Sequence, residues 1–177
     1  MAASRIAIVG TSGSGKTTLA KLLADKKGIP RIELDELYWQ PNWVGTPEAE
    51  FHEKIRNAIS ASDSWVICGN YNVAKQITLP AATDIIWLNY PLYKNLWQGF
   101  KRSVKRIITG EEPFKGCKET FRLTFLSKES ILHWILVTHA RRRREFTTLL
   151  TKENFPAARI WVIKTKPDYH RVLQIIE

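Results

Sequence analysis

A glycine-rich run near the start of the chain constrains the fold more than any other feature. It reads Gly10-Thr-Ser-Gly-Ser-Gly-Lys-Thr17. A short β-branched run at residues 5–9 precedes it, and leucines at helical spacing follow it as far as Gly28. Strand, glycine turn and helix in that order predict the first half of a βαβ unit. In such a unit the backbone N–H groups of the turn and the helix N-terminus face an anion.

The run matches the pattern G-x-x-x-x-G-K-[ST], in which a loop wraps the phosphates of a nucleotide. We expect the Lys16 ammonium to reach the β- and γ-phosphates of ATP, and the Thr17 hydroxyl to bind Mg²⁺. The predicted nucleotide-binding residues are Gly10, Ser12, Gly13, Ser14, Gly15, Lys16, Thr17 and Thr18.

Four further short apolar runs are typical of buried strands, and helical patterns separate them. They span residues 31–34, 65–68, 85–88 and 159–163. Together with the first strand they predict an α/β fold: a three-layer α/β/α sandwich around a five-stranded, mainly parallel sheet. We expect residues 1–177 to form a single domain, because the length suits one domain and no linker or repeat interrupts it.

Residues 99–144 fit this alternation worst and carry most of the excess positive charge. They hold 12 Lys and Arg against 4 Asp and Glu, whereas the whole chain holds 27 against 17. Such a segment can clamp a polyphosphate, bind nucleic acid or simply be a solvated basic face.

Two helices joined by a polar turn are predicted in and around this basic segment. The first begins at Pro91 and ends at Gly110; the second is capped by Ser127 and runs to Leu150. We expect them to form a basic lid inserted at residues 99–144. The apolar face predicted for the first helix comprises Leu92, Leu96, Phe100, Val104 and Ile107.

The glycine-rich run, the basic lid and the length resemble the adenylate kinase-type P-loop kinases. Leu34-Asp-Glu-Leu-Tyr-Trp-Gln-Pro-Asn-Trp43 and Trp65-Val-Ile-Cys-Gly-Asn-Tyr71 resemble, more narrowly, the FlaR-type family, also called DNA topology modulation proteins. This resemblance extends over essentially the whole chain. It implies transfer of the γ-phosphoryl group of MgATP to a small-molecule or nucleotide acceptor, and a first strand lying between the third and the fourth.

Asp35 is the main candidate for chemistry outside the glycine-rich run. It follows the second predicted strand, and ligands of open α/β sheets bind beyond the carboxyl ends of the strands. In similar kinases an acid here contacts the acceptor hydroxyl or a water on Mg²⁺. The alternative is a solvated turn carboxylate or a helix cap. Glu33 and Glu36 are poorer candidates, because neighbouring residues face elsewhere.

Aromatic and amide side chains near the same strand ends are candidates for acceptor binding. Trp39 and Trp43 form either a wall against the acceptor or a packed cluster at the base of the lid. Asn70 and Tyr71 follow the third strand and are expected to contact the acceptor. Cys68 stands where the family commonly has an acid that supports Mg²⁺, and a thiol cannot replace it toward that ion.

Arginines of the basic segment are candidates for neutralising the transferring phosphoryl group. Arg102 and Arg106 are one helical turn apart, as the resemblance implies for catalytic lid arginines. Only one or two of the four arginines at 141–144 can face the site, because adjacent helical residues point about 100° apart. Arg122 is a weaker lid candidate.

Two other functions remain open from the sequence. One is a DNA-binding protein with a regulatory or vestigial ATP site, and the other is a plain hydrolase. No helix-turn-helix, zinc-finger or RRM signature is present, and the four histidines lack metal spacing. We expect a cytoplasmic protein without a membrane partner, since the chain has two distant cysteines and no apolar run of about 18 residues.

Overall fold

The computed structural model describes residues 3–114, 116–117, 127 and 130–176. In chain order the elements are β1 (Arg5–Gly10), α1 (Lys16–Lys27), β2 (Arg31–Glu33), α2 (Leu34–Tyr38), β3 (Trp39–Gln40), β4 (Val44–Gly45), α3 (Glu48–Ser60), β5 (Trp65–Cys68), α4 (Asn72–Ala81), β6 (Asp84–Leu88), α5 (Leu92–Thr109), α6 (Ile131–Leu149), β7 (Arg159–Ile163) and α7 (Lys166–Ile176).

The five longer strands form one parallel sheet in the order β2-β5-β1-β6-β7. This confirms the predicted α/β class, and β1 lies between the third and fourth long strands as the resemblance implied. Successive residues of β1 face opposite sides, so Ala7 and Val9 enter one core while Ile6 and Ile8 enter the other. Helices α3, α4 and α6 cover the first side, and α1 and α7 cover the second.

Glycine ends two of the helices where the sequence predicted it. Gly28 follows α1 with φ 62°, and Gly110 follows α5 with φ 67°. The predicted start of α6 at Ser127 is wrong. Ser130 is the capping residue, because its hydroxyl accepts from the backbone N–H of His133 at 3.1 Å.

Helix α5 buries the apolar face that its sequence predicted only in part: four of the five side chains are half-buried. Its fully buried positions are Asn95, Gly99 and Ser103, whereas Phe100 keeps 39% of its surface exposed. The cause is close packing: a Cβ on Gly13 of the glycine-rich loop would lie 2.5 Å from the Asn95 carbonyl oxygen and 3.3 Å from the Gly99 nitrogen. Only a face of small side chains allows α5 to come this near the loop.

Several short elements near the strand ends were not predicted from the sequence. They include α2, α4 and the two-residue strands β3 and β4, which pair antiparallel with a 3₁₀ turn, Pro41–Trp43, between them. Among the described helices, none combines the length and the apolar character needed to cross a membrane.

Candidate functional site

The glycine-rich loop joins the end of β1 to the start of α1. Gly13 and Gly15 have φ of 77° and 90°, and Gly15 directly precedes the helix. The first N–H groups of a helix have no partner within it, so the N-terminus of α1 offers donors and partial positive charge to an anion. The loop and this helix start are called the cradle below.

Lys16 supplies the cradle with a charged side chain. Its ammonium donates to the carbonyl oxygens of Gly10 at 3.0 Å and Thr11 at 3.2 Å, so it lies across the loop. The pKa of Lys16 is lowered to about 8, chiefly by burial; Asp35 opposes this effect, and Arg142 and Arg102 add to it. These charges therefore surround the ammonium at one end of the sheet.

Thr17 is held by an acid that the sequence analysis set aside. The Thr17 hydroxyl donates to Glu33 Oε1 at 2.5 Å, and Glu33 is only 8% exposed. The expectation that Glu33 faces away from the site is wrong, because β2 ends at this residue and turns its side chain toward α1. Cys68 could have indicated the role of Glu33. It stands where the resemblance implies an acid, and Glu33 lies beside it in register on the neighbouring strand.

Cys68 itself remains a buried thiol. Only 2% of the residue is exposed, and burial together with the Glu33 carboxylate raises the pKa of Cys68 to about 12. The carboxylate expected at the end of β5 is thus absent, and a neighbouring strand brings one to the same place.

Asp35 lies in the first turn of α2 and is half-buried. Its Oδ1 accepts from the Tyr71 hydroxyl at 2.6 Å. Burial, followed by the Asp35 charge, raises the pKa of Tyr71 far above its ordinary value, so Tyr71 remains a protonated donor. Two residues predicted to contact the acceptor are therefore joined to each other.

Asn70 engages the cradle. Its side-chain oxygen accepts from the Gly10 N–H at 3.3 Å, and its amide group donates to the Gly10 carbonyl. The predicted contact of Asn70 with an acceptor stays a prediction, since both ends of its amide hold the loop.

Trp39 and Trp43 belong to a chain of aromatic rings on the β3–β4 hairpin. Trp39 contacts Tyr38 and Trp43 at centroid distances of 4.9 and 5.5 Å, and Trp43 contacts Phe114 at 6.1 Å. Tyr38 lies 4.6 Å from Tyr71, so the chain leads back to Asp35. The rings of this segment pack on one another and both tryptophans are half-buried, so a wall against an acceptor stays a prediction.

Hydrogen bonds join the lid turn to this hairpin. The Asn42 N–H donates to the Gly116 carbonyl at 3.0 Å, and the buried Cys117 thiol donates to the Gln40 carbonyl at 3.3 Å. The hairpin is therefore the platform on which the described part of the turn rests.

Arg142 is the member of the 141–144 run that faces the site. It is half-buried while the other three are exposed. Burial lowers the pKa of Arg142, and the charges of Asp35 and Tyr71 oppose that effect. Arg102 is also half-buried and acts on Lys16; Arg106 is half-buried one turn further along α5. Arg122 lies outside the described residues.

Metal ligation by histidine is not seen in the described part of the chain, where no three His, Cys, Asp or Glu side chains cluster to hold an ion. His139 is buried and its Nε2 lies 3.1 Å from the Tyr90 carbonyl oxygen, which is a packing role.

The close approach of α5 to the cradle gives a first prediction. Gly13→Ala should lower both the thermal midpoint and MgATP affinity, because the new Cβ meets the α5 backbone. Gly28→Ala is the matched control: its φ of 62° imposes similar strain, but nothing lies within 4 Å of the new Cβ. Thermal unfolding with and without MgATP measures both. Equal loss of nucleotide protection in the two variants would contradict this role of the contact.

Comparison with known proteins identifies the fold. The family model "ATPase family associated with various cellular activities (AAA)" matches residues 6–68, which is less than half of the chain. No curated protein matches the chain.

Solved shikimate kinases share the fold at low identity. The enzyme from Bacteroides thetaiotaomicron is 17% identical with a TM-score of 0.53, over 98% of this chain and 95% of that one. The enzyme from Acinetobacter baumannii, solved in complex with shikimate, is 17% identical with a TM-score of 0.55, over 98% and 93%. The enzyme from Aquifex aeolicus vf5 is 18% identical with a TM-score of 0.51, over 97% and 93%. The fold is thus that of P-loop kinases.

Proposed function

We propose that this protein is an ATP-dependent phosphotransferase that moves the γ-phosphoryl group of MgATP to a small-molecule or nucleotide acceptor. The observation that carries the proposal is the meeting of Lys16, Asp35 and Arg142 at the cradle, where the Asp35 carboxylate lies near enough to both cations to oppose the lowering of their pKa values by burial. Phosphoryl transfer requires positioning and charge neutralisation around the transferring group. Two cations and a carboxylate at the mouth of a phosphate cradle supply both.

The cradle binds the triphosphate in this proposal. The N–H groups of the loop and of the start of α1 surround the β- and γ-phosphates, and the Lys16 ammonium exchanges its two backbone carbonyls for phosphate oxygens. Asn70 keeps the loop in shape through Gly10. Burial disfavours the charged form of Lys16. A phosphate anion bound beside the ammonium would stabilise that form, and this favours binding of the phosphate.

Mg²⁺ fits the oxygen ligands beside the cradle. The Thr17 hydroxyl and the Glu33 carboxylate already lie 2.5 Å apart, and hydroxyl and carboxylate oxygens are ligands that this ion prefers. Thr17 would bind Mg²⁺ and Glu33 would hold a water of its shell. When bound, Mg²⁺ would offset the negative charge of the phosphate oxygens. In this role the Glu33 carboxylate replaces the acid that the resemblance implies at the position of Cys68.

Asp35 orients the acceptor in this proposal. Its Oδ1 holds the Tyr71 hydroxyl, and its second oxygen remains to accept a proton or a hydrogen bond from an acceptor hydroxyl. Trp39 and Trp43 form the adjoining wall, where half-buried rings can cover an acceptor. The acceptor cleft therefore opens between α2 and the β3–β4 hairpin.

Residues 99–144 act as the lid. Arg102, Arg106 and Arg142 are its inward-facing cations, and closing them over the phosphates excludes water from the reaction. This arrangement supports the adenylate kinase-like assignment, in which arginines of the lid neutralise the transferring group.

An acceptor panel tests the function. ADP release is followed with MgATP alone and with nucleosides, nucleoside monophosphates, shikimate and other small hydroxy metabolites. Stimulation by one acceptor class, with a phosphorylated product found by mass spectrometry, is expected. Steady ADP release that no acceptor increases would instead make the protein a hydrolase, and binding of MgATP without release would remove the enzymatic function.

Arg142 gives a second prediction. Arg142→Gln should lower turnover about 10² to 10³-fold, the usual cost of one donor to a developing charge. Arg144→Gln is the matched control, since Arg144 is an exposed neighbour on the same helix. ADP release at saturating MgATP measures the effect. Equal turnover in the two variants would take Arg142 out of the site.

A further inference from the structure

The outward face of α5 is strongly apolar. Tyr93, Trp97, Phe100 and Ile108 are 75%, 58%, 39% and 78% exposed. Because successive helical residues are about 100° apart, these four lie within about 80° of one another and form a stripe roughly 22 Å long. They are called the outer stripe. An exposed aromatic patch of this kind marks an interaction site.

The inner face of α5 explains why the stripe points outward. Gly99 must meet Gly13 of the cradle, and Arg102 must approach Lys16. Both requirements fix the rotation of the helix about its axis. The side chains of the outer stripe then lie away from this face, where the described residues leave them exposed. The fully buried positions of α5 are therefore polar or small, and the stripe is left without cover.

Lysines flank the outer stripe along one edge. Lys94, Lys101 and Lys105 lie within about 40° of one another and directly beside it. The α5 sequence contains no acidic residue. Lys105 pairs with Glu111 beyond the helix end at 3.2 Å, but both are exposed, and such a pair is weak. A partner that complements this face is apolar where it meets the stripe and anionic at the lysine edge.

The ring contacts favour lipid over nucleobases. Trp97 stacks on Phe100 with an interplanar angle of 9°, and the Lys101 ammonium lies 5.4 Å from the Trp97 ring centre. Phe100 takes one of the two faces of the Trp97 ring, so this pair offers fewer ring faces for stacking on bases than two separate rings would. Ile108 is the most exposed member of the stripe and offers no ring at all. Tryptophan, tyrosine and aliphatic side chains beside lysines are typical of helices that lie in a membrane interface.

We propose that the outer stripe and its lysine edge dock this protein on the surface of an anionic lipid membrane. The apolar side chains enter the headgroup boundary, and the lysines reach the lipid phosphates and carboxylates along the edge. The cradle and the lid arginines face the other side of α5, so docking leaves the phosphate site open.

Vesicle sedimentation tests the proposal on the full chain without nucleotide. We expect binding to phosphatidylcholine vesicles that contain phosphatidylserine, little binding to phosphatidylcholine alone, and weakening by salt. Trp97→Ser with Ile108→Ser should reduce binding about tenfold or more, because buried apolar area is lost. Ile175→Ser is the matched control, an apolar residue on α7 that is 48% exposed.

The lysine edge is tested separately. Lys101→Gln with Lys105→Gln should also reduce binding, by about 30-fold, since each of the two cations contributes about one kcal/mol near an anionic surface. Lys21→Gln with Lys26→Gln on α1 should leave it unchanged. Circular dichroism and the thermal midpoint verify that each variant is folded.

Three outcomes would overturn the proposal. One is equal binding to neutral and anionic vesicles, or none to either. Another is a concentration-dependent dimer in sedimentation velocity that Trp97→Ser abolishes, which would assign the stripe to a second copy of the chain. The last is single-stranded DNA binding that the same variants abolish while vesicle binding persists unchanged.

Discussion

Lys16→Ala is expected to abolish phosphoryl transfer and leave the fold intact. In the proposed function the ammonium is the cradle's point charge toward the triphosphate, so its loss should reduce turnover by at least about 10³-fold, the upper cost of a single donor at a developing charge. Turnover is measured as ADP release with the best acceptor of the panel. Lys21→Ala on the exposed side of α1 is the control and should behave like the unmodified chain.

The thermal midpoint of Lys16→Ala separates a catalytic role from a structural one. Burial lowers the pKa of Lys16 to about 8, so the folded state disfavours its charged form relative to the unfolded chain. Removing the side chain relieves that cost at neutral pH, and we expect an unchanged or higher midpoint together with lost MgATP protection. Full turnover in this variant would remove the cradle from the mechanism; a collapsed midpoint would make Lys16 structural.

The sequence predicted the sheet well because its signals are local. The run at 65–68 is apolar at every position and becomes β5 with the same bounds, since a strand covered on both faces needs no polar residue. The glycine-rich loop is equally local, because its conformation depends on residues adjacent in the chain. Gly28 and Gly110 adopt positive φ at helix ends for the same reason.

The features that the sequence did not predict depend on contacts between segments that are distant in the chain. Glu33 reaches Thr17 only because β2 ends beside α1, and no spacing within residues 31–36 reveals this. The fully buried positions of α5 follow from its close approach to Gly13, far away in sequence, and its apolar face is left only half-buried. Arg142 is distinguished from Arg144 by the packing of α6 and not by its neighbours in the chain.

The two acids at the site are expected to fail in different ways. Glu33→Gln should raise the Mg²⁺ concentration needed for half-maximal turnover about 10 to 100-fold, the usual cost of losing a group that supports a metal's ligands. Asp35→Asn should lower turnover about 10² to 10⁴-fold and change MgATP affinity far less, because the proposed role of Asp35 is to orient the acceptor. Turnover against Mg²⁺, and MgATP titration by calorimetry, measure the two effects.

Glu36→Gln is the control that isolates the metal role of Glu33. Arg31 donates to both carboxylates, to Glu36 at 2.9 Å, so either substitution removes one of the two negative charges that pair with Arg31. Only Glu33 also holds Thr17. A changed Mg²⁺ requirement in Glu33→Gln alone therefore cannot come from Arg31. If Glu36→Gln changed the Mg²⁺ requirement equally, the ion pairs of Arg31 with Glu33 and Glu36 would stabilise β2 and α2, and Glu33 would have no role of its own toward the metal. If Asp35→Asn weakened MgATP binding as much as turnover, its carboxylate would contribute to nucleotide binding. The acceptor would then contact other residues of the aromatic chain between Tyr71 and Trp43.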